Sequence, residues 1–423
     1  MALIKSISGI RGTIGGKPGE NLTPLDIVKF TAAFANSLDP IKGNKKIVIG
    51  RDGRISGQMV SELCANTLIA CGFDVIDLGL STTPSVEIAV KEENAAGGII
   101  LTASHNPKEW NALKLLNSEG EFINAEAGEK VISIAENESF TFVPVDKTGI
   151  YKKDDSYLQK HIEAVLDYDL VDVEAIKKAK FKIVLDPINS SGAIYIPALL
   201  KALGVKEVVV INEVVNGKFE HNPEPLPKNL IGLSSEVVKQ KASLGIAVDP
   251  DVDRLCFVCE DGSMFGEEYT LVAVADYILK NRKGNSVSNM SSTKSLKEIT
   301  QQHGGEYFPS AVGEVNVVNK MKEVKAVIGG EGNGGIIVPD FHYGRDALIG
   351  IGLFLSHLAH SHKSIKQFRS NYPDYFISKN KITLEKNVDV KDVFQKIKAK
   401  YKNNPINTED GLKIEFGNDW VHL

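Results

Sequence analysis

Short β-branched runs recur along the chain, each closed by a glycine or a polar loop, and the segments between them carry apolar residues at helical spacing. "KKIVIG" (45–50), "GFDVIDLG" (72–79) and "GGIILT" (97–102) read as the strands of one β-α-β-α-β unit. The same order returns in "FKIVLD" (181–186), "KEVVVIN" (206–212) and "LGIAVD" (244–249), with "IYIPALLKAL" and "LIGLSSEVVKQKA" as the helices between them. A looser copy runs through "NSVSNM" (285–290), "GGEYFPS" (304–310) and "KAVIGG" (325–330), around "KSLKEITQQH" and "VNVVNKMKE". Because the spacings differ from copy to copy, the pattern predicts three successive domains and not a solenoid.

Strands alternating with helices pack as mixed, mostly parallel sheets covered on both faces, so the expected class is α/β. Ligands of such sheets sit at loops beyond the carboxyl ends of the strands. The third strand of each unit runs into an unusual loop: "TASHNP" in the first, "DPDVDR" in the second and "GEGNGG" in the third. Three domains would thus bring one loop each to a shared cleft. The expected divisions are residues 1–153, 154–256 and 257–367. From 368 to 423 the chain changes character, through a turn-rich stretch, a helix-like "VDVKDVFQKIKAKY" and an alternating "DGLKIEFGNDWVHL", and reads as a smaller α+β domain.

Composition narrows the function classes. The 423 residues exceed one compact core, and 43% hydrophobic with 24% charged residues is ordinary for a globular protein. No apolar run approaches the roughly 18 residues of a membrane span. A net charge of -5 argues against nucleic acid as the main partner. The opening "MALIKSISGIRGTIGG" does not read as a secretory signal, so the expected location is the cytoplasm. The cysteines fall as Cys64 with Cys71 and Cys256 with Cys259; the second pair lies in the strand-like "RLCFVC", where an odd offset puts the two thiols on opposite faces. Core packing explains them better than a metal or redox site.

The loops carry the candidate chemistry. Asp249, Asp251 and Asp253 alternate directly after an apolar strand, and three carboxylates converging on one point repel strongly unless a cation sits among them. Few donors, all oxygen, with coordination left for a phosphate, suit Mg²⁺; a solvated acidic turn is the plain alternative. An EF-hand fits poorly, because Arg254 stands where that loop needs glycine, although Glu260 falls where it needs glutamate. A phosphatase with an aspartyl nucleophile would also end a strand in Asp-x-Asp, but it leaves the other two loops unexplained.

Ser104 and His105 are sequence neighbours, which works against a triad-type hydrogen bond, and no G-x-S-x-G elbow is present, so acyl-transfer hydrolysis is disfavoured. A serine oxygen that carries a phosphoryl group needs a metal and cations instead. Pro107 holds Asn106 extended and stiffens the loop. Lys114, in the hairpin-like "NALKLLNSEGEFI", is a candidate cation, with a solvated surface lysine as the bland alternative. In "GGEGNGG" (329–335) only Glu331 and Asn333 carry functional side chains, and both can hydrogen-bond vicinal sugar hydroxyls; a simple Gly-rich turn competes. Neither G-x-G-x-x-G nor a Walker lysine motif supports a nucleotide.

A serine loop, a triple-Asp loop and a Gly-Glu loop, in that order on successive α/β domains, resemble the α-D-phosphohexomutase family over essentially the whole chain. "TASHNP" is similar to that family's phosphoserine loop, which implies a phosphoryl group on Ser104, His105 beside it, and Lys114 at the position of a general acid/base. "DPDVDR" is similar to its metal loop, which implies Mg²⁺ held by Asp249, Asp251, Asp253 and the phosphoserine, with Arg254 near the phosphoryl oxygens. "GIRG" matches an active-site arginine, Arg11 here. The resemblance implies interconversion of hexose 1-phosphate and 6-phosphate through a bisphosphorylated sugar, which also serves as activator. Many members read Gly-Glu-Met-Ser-Gly-His in the sugar loop; Asn333 stands for the Ser and Gly335 for the His, a variant that leans toward an amino-sugar phosphate. Glucose and mannose phosphates are the alternatives. The resemblance also implies an Arg-Pro-Ser-Asn-Thr phosphate loop beyond "DGLKIEFGNDWVHL", and this sequence ends at Leu423 ahead of it, which leaves a sugar-phosphate binding protein without efficient turnover as the rival reading.

Overall fold

In the computed structural model of the protein, which describes residues 3–6, 9–38, 44–378, 380, 389–417 and 419–423, the strands form four sheets. The first contains β1 (Leu3–Ser6), β2 (Gly9–Thr13), β3 (Lys46–Arg51), β4 (Asp74–Leu80), β5 (Gly97–Leu101), β6 (Trp110–Leu116) and β7 (Tyr151–Lys153), in the order β1-β2-β6-β5-β3-β4-β7. The second has β8 (Lys182–Asp186), β9 (Glu207–Val210), β10 (Leu244–Val248) and β11 (Leu255–Cys259), ordered β11-β10-β8-β9. The third has β12 (Asn285–Asn289), β13 (Tyr307–Ser310), β14 (Ala326–Glu331) and β15 (Gly335–Ile337), ordered β13-β12-β14-β15. A small sheet of β16 (Ile406–Asn407), β17 (Lys413–Phe416) and β18 (Asp419–His422) follows.

All nine repeat strands fall within a few residues of where the hydrophobic pattern places them. The hairpin-like stretch around Lys114 points to an antiparallel return in the first repeat, and the pattern does not show one in the other two. In every repeat the third parallel strand pairs with the strand after it, β5 with β6, β10 with β11 and β14 with β15, so each chemistry-bearing loop is the turn of a hairpin. A hairpin fixes both ends of its loop in the sheet, which is a firmer mount than a strand-to-helix connection. The two residues flanking the acidic loop, Val248 and Leu255, are register partners.

The expected division at residue 256 falls inside β11, whose Cys256 pairs with Ala247 of β10. The second and third domains also share one apolar core: Phe257 of β11 stacks on Phe354 at 3.7 Å, and Phe265 and Phe368 pack edge-on against that pair. Phe354 belongs to helix Ala347–Ser361, which is almost wholly buried because it is wedged between the two sheets and helix Glu267–Asn281. Helix Ile365–Arg369 and Tyr372 sit on the same core, so the chain stays with it beyond residue 367. The first domain keeps a core of its own. Helix Val390–Lys400 buries no residue, and β16–β18 rest on the third domain through polar contacts, Lys413 Nζ to Met290 O at 2.6 Å and Ser291 Oγ with His422 Nδ1 at 2.7 Å. The turn-rich stretch 370–386 lies partly outside the described residues. All four cysteines are buried free thiols, and burial pushes Cys259 up to about 11. Among the described residues no helix is long and apolar enough to cross a membrane.

Candidate active site

Ser104 lies at the tip of the β5–β6 hairpin with φ at +48°, a left-handed backbone that a serine adopts only when its surroundings enforce it. The enforcement comes from residues that the sequence reading did not single out. Asp52 and Arg54 follow β3, at the carboxyl end of a neighbouring strand. The Arg54 guanidinium, with no solvent exposure, donates to the backbone carbonyls of Ser104, Asn106, Pro107 and Trp110, four bonds that grip the loop from beneath. Asp52 holds Arg54 Nε at 2.9 Å and accepts from Thr102 Oγ1 at 2.7 Å. Two charged residues flanking a glycine at a strand's carboxyl end were the available signal.

From that perch Ser104 Oγ reaches across to the second domain and donates to Asp249 Oδ2 at 2.9 Å. Asp249, Asp251 and Asp253 are all buried, and each offers a carboxylate oxygen within 4.8 Å of the others. Val252, between two of them, has φ at +63°, a strained state for a β-branched residue. Its carbonyl is held by Ala347 N at 3.2 Å, so the loop is pinned by the third domain. The first domain pins it as well, through Thr83 Oγ1 to Asp251 Oδ2 at 2.6 Å and Lys114 Nζ to the same oxygen at 2.7 Å. Lys114 stands 3.6 Å from Asp253. It projects from β6 opposite Gly9 and Ile100, and is therefore no solvated surface lysine.

Charges this close shift one another. Burial, then the carboxylates of Asp253 and Asp251, push Asp249 well above the usual carboxylate range. Burial also raises Asp251, but the charge and hydrogen bond of Lys114 outweigh it and hold Asp251 below its usual range. Lys114 is raised in turn, because Asp251 and Asp253 overcome its desolvation. His105 is pushed down to about 3 by burial and by Arg254, so its imidazole is neutral.

Ser104, His105, Lys114, Arg254 and the exposed Arg11 line one cleft of about 180 Å³, and Arg345 joins them there. Four cations facing one serine make a site for an oxyanion with more than one charge. In the cleft and the adjoining acidic loop several polar atoms are buried without a hydrogen-bond partner, namely Oδ1 of Asp251, Oδ1 of Asp253, Nδ1 of His105 and Nε of Arg254. Two bare carboxylate oxygens beside a hydroxyl suit a divalent cation, so the donor set fits Mg²⁺.

The third loop sits behind the acidic one. Gly334 has φ at +87° and its added Cβ would meet Leu255 O at 2.2 Å, while a Cβ on Gly335 would meet Arg345 Cδ at 2.3 Å, so both positions exclude any side chain. Glu331 is buried and saturated: Oε1 accepts from Asn289 Nδ2 at 2.8 Å and Gly313 N at 3.2 Å, and Oε2 from Arg345 Nη1 at 2.8 Å and Asn333 Nδ2 at 3.3 Å. Asn333 is half-buried. Arg345 also donates through Nη2 to Asp253 at 2.7 Å, and so joins the third loop to the second. Nothing in the periodicity marks Arg345 apart from "YGRDAL" preceding a long apolar helix.

Comparison with known proteins agrees with this architecture. "Phosphoglucomutase/phosphomannomutase, alpha/beta/alpha domain I" matches residues 3–142, domain II of the same description 156–262, and domain III 266–375. A phosphoglucomutase/phosphomannomutase of Thermococcus kodakarensis is 35% identical over 97% of this chain and 90% of its own length. The chain belongs to the phosphoglucomutase/phosphomannomutase family. A phosphoglucosamine/phosphogalactosamine mutase of Sulfurisphaera tokodaii is 30% identical over all of this chain and 92% of its own. Among solved structures, a phosphoglucomutase/phosphomannomutase family protein of Burkholderia thailandensis superposes with a TM-score of 0.84 at 26% identity, covering 99% of this chain and 90% of that one. Members of this family are phosphohexomutases, isomerases that move a phosphoryl group within a sugar phosphate, and this chain is an enzyme of that class.

Proposed function

We propose that the enzyme interconverts hexose 1-phosphate and hexose 6-phosphate through a phosphoserine at Ser104, with a glucosamine phosphate as the preferred substrate. The observation that carries the reading is Ser104 Oγ at 2.9 Å from Asp249, in a cleft shared with Lys114, Arg254 and Arg11. In the forward half-reaction the P–Oγ bond of phosphoserine breaks as a bond from phosphorus to a sugar hydroxyl oxygen forms, and the hydroxyl proton ends on Ser104 Oγ. Lys114, held cationic by Asp251 and Asp253, is the nearby proton carrier for that oxygen. Arg254 and Arg11 spread the charge on the transferring group. Asp249, Asp251, Asp253 and Ser104 would hold Mg²⁺, which when bound neutralises phosphoryl charge. The bisphosphorylated sugar then returns its other phosphoryl group to Ser104, so a catalytic amount of it also activates unphosphorylated enzyme. Asn333 and Glu331 read sugar hydroxyls; Asn333 Nδ2, the longest of the bonds on Glu331, is the one a hydroxyl would replace.

The amino-sugar assignment is supported by the names of relatives, a "Phosphoglucosamine/phosphogalactosamine mutase" of Sulfurisphaera tokodaii and a "Probable phosphoglucosamine mutase" of Methanopyrus kandleri among them, set against the broader name of the Thermococcus protein. The buried free thiols support action in the cytoplasm. A panel of glucosamine, glucose, mannose and N-acetylglucosamine phosphates, primed with glucose 1,6-bisphosphate, tests it. The highest kcat/KM is expected for glucosamine phosphate, together with one phosphate adduct on Ser104 by intact mass; turnover of none of the four would overturn the reading.

A further inference from the structure

Arg345 is 7% exposed and touches three carboxylates that belong to three different segments. Its Nε donates to Glu314 at 2.9 Å, its Nη1 to Glu331 of the third loop at 2.8 Å, and its Nη2 to Asp253 of the acidic loop at 2.7 Å. The rigid planar fork of a guanidinium ties these acceptors to one another in a way a lysine cannot. The third loop is shaped around it, since Gly335 leaves no room for any Cβ against the Arg345 stem. Glu331 and Asp253 share this one side chain as a hydrogen-bond donor.

We propose that Arg345 is a positioning residue for phosphoryl transfer, tying the orientation of Asp253 to the sugar loop through Glu331 and holding the acidic loop's charge in check until a divalent ion competes for Asp253. This rests on the metal-loop reading above. With its Oδ2 on Arg345, Asp253 leaves Oδ1 bare, and the bare atom is the one available to a cation. A hydroxyl arriving at Glu331 Oε2 would redistribute the hydrogen bonds that this oxygen shares between Asn333 and Arg345, and the change reaches Asp253 through the guanidinium. Arg345 thereby couples the occupancy of two loops on different domains, and the coupling is reciprocal.

The test separates charge from orientation. Mn²⁺ binding to the phosphate-free protein is measured by the electron spin resonance of free Mn²⁺, and kcat and KM are measured in parallel, for Arg345→Met and Arg345→Lys. Removing the competing cation should tighten Mn²⁺ roughly tenfold in Arg345→Met, while kcat falls by about 10- to 100-fold because Asp253 is no longer oriented. A merely structural residue would lose both together, and weaker Mn²⁺ binding in that variant overturns the proposal. Lysine keeps the charge but replaces the planar fork with a single ammonium, so Arg345→Lys should bind Mn²⁺ within about twofold of wild type and still lose about tenfold in kcat with little change in KM. Full kcat in Arg345→Lys, or a change confined to KM, also overturns it, and this variant decides if Arg345→Met does not fold. Asp251→Asn is the control: wild-type Mn²⁺ affinity there means that the metal-loop reading has failed, whatever Arg345 does.

Discussion

Two buried polar networks lie side by side in this molecule, and they are finished differently. In the cleft, Asp249, Asp251 and Asp253 meet Lys114, Arg254 and Arg345, and four polar atoms are left without hydrogen-bond partners. At the junction of the three domains, Asp346 Oδ2 accepts from His161 Nε2 at 2.8 Å and His342 Nε2 at 3.0 Å, and His161 Nδ1 meets Ser85 Oγ at 2.8 Å. Asp346 Oδ1 meanwhile caps helix Ala347–Ser361. That network runs as a chain from Ser85 through His161 and Asp346 to His342, and its bare atoms are those of Glu87. Leaving a buried polar atom bare costs about 1–3 kcal/mol, so a cluster of bare atoms beside one cavity marks a place built for a ligand, and a hydrogen-bonded chain between domains marks a joint. Polar burial alone does not distinguish the two; the unfinished valences do.

The comparison breaks most visibly at Ser104. Ser104→Ala should abolish the phosphate adduct and reduce kcat by at least about 10⁴-fold, as loss of a covalent carrier does, while unfolding by urea changes little. A phosphate adduct that persists in the alanine variant would move the carrier elsewhere. The joint answers in the opposite way. Asp346→Asn should destabilise the protein by about 3 kcal/mol, because both imidazole Nε2 atoms share Oδ2 and the helix cap uses Oδ1, so the amide nitrogen must face either the two imidazoles or the cap. Mn²⁺ affinity should stay near that of wild type, and a large loss of it without loss of stability would erase the distinction between joint and cleft.

How far the sequence revealed these two regions differs too. The repeat strands, the three loops and the hairpin carrying Lys114 were all legible, because period-2 apolar runs and glycine stops are local signals. Ser104, Asp249, Asp251 and Asp253 stand in short motifs at strand ends, Lys114 in the strand that follows, and Arg254 was pointed to by the family resemblance; the structure brings all six together. Arg54, Arg345 and the Ser85–His161–Asp346–His342 chain could not be read in this way. Each of them acts on residues far away in sequence: Arg54 on a loop 50 residues on, Arg345 on Asp253 92 residues back, and His161 on Asp346 185 residues on. A charged residue buried by a tertiary contact looks, in sequence, like any charge beside a turn. The shared core of the second and third domains was missed for the same reason, since the long helix that seals it shows only that it is apolar.

The cleft can be sharpened from inside by comparing two of its aspartates. Repulsion among the three carboxylates falls unevenly, on Asp249 more than on Asp251, which Lys114 and Thr83 satisfy. With chelator present, Asp249→Asn should therefore raise the melting temperature by roughly 2–4 °C, whereas Asp251→Asn should lower it by a similar amount, since Lys114 loses its nearest partner. Both should lose the stabilisation that added Mg²⁺ gives the wild type. Equal melting curves for the two variants in chelator would show that the repulsion is shared evenly among the buried carboxylates.

The smallest effect concerns the one loose end of the joint. Glu87 is 2% exposed, neither of its carboxylate oxygens has a hydrogen-bond partner, and His342 Nδ1 stands 3.5 Å from Oε2. His342 Nε2 is engaged by Asp346 Oδ2, which turns the Nδ1 side of the ring toward Glu87. Burial, followed by the charge of Glu314, pushes Glu87 well above the usual carboxylate range; Lys114 opposes the shift, and Asp253 and Asp346 add to it. A carboxyl whose folded-state pKa is raised contributes its full stability below the unfolded value near 4.5, and that contribution is lost as pH climbs through the folded pKa. Glu87→Gln cannot ionise, and its amide keeps a hydrogen-bonding group beside His342 Nδ1. It should match the wild type near the acid end of the folded range and exceed it by about 1 kcal/mol on the alkaline side, flattening the pH dependence of urea unfolding. A variant less stable than wild type at every pH would show that Glu87 is ionised and held by partners that these contacts do not include.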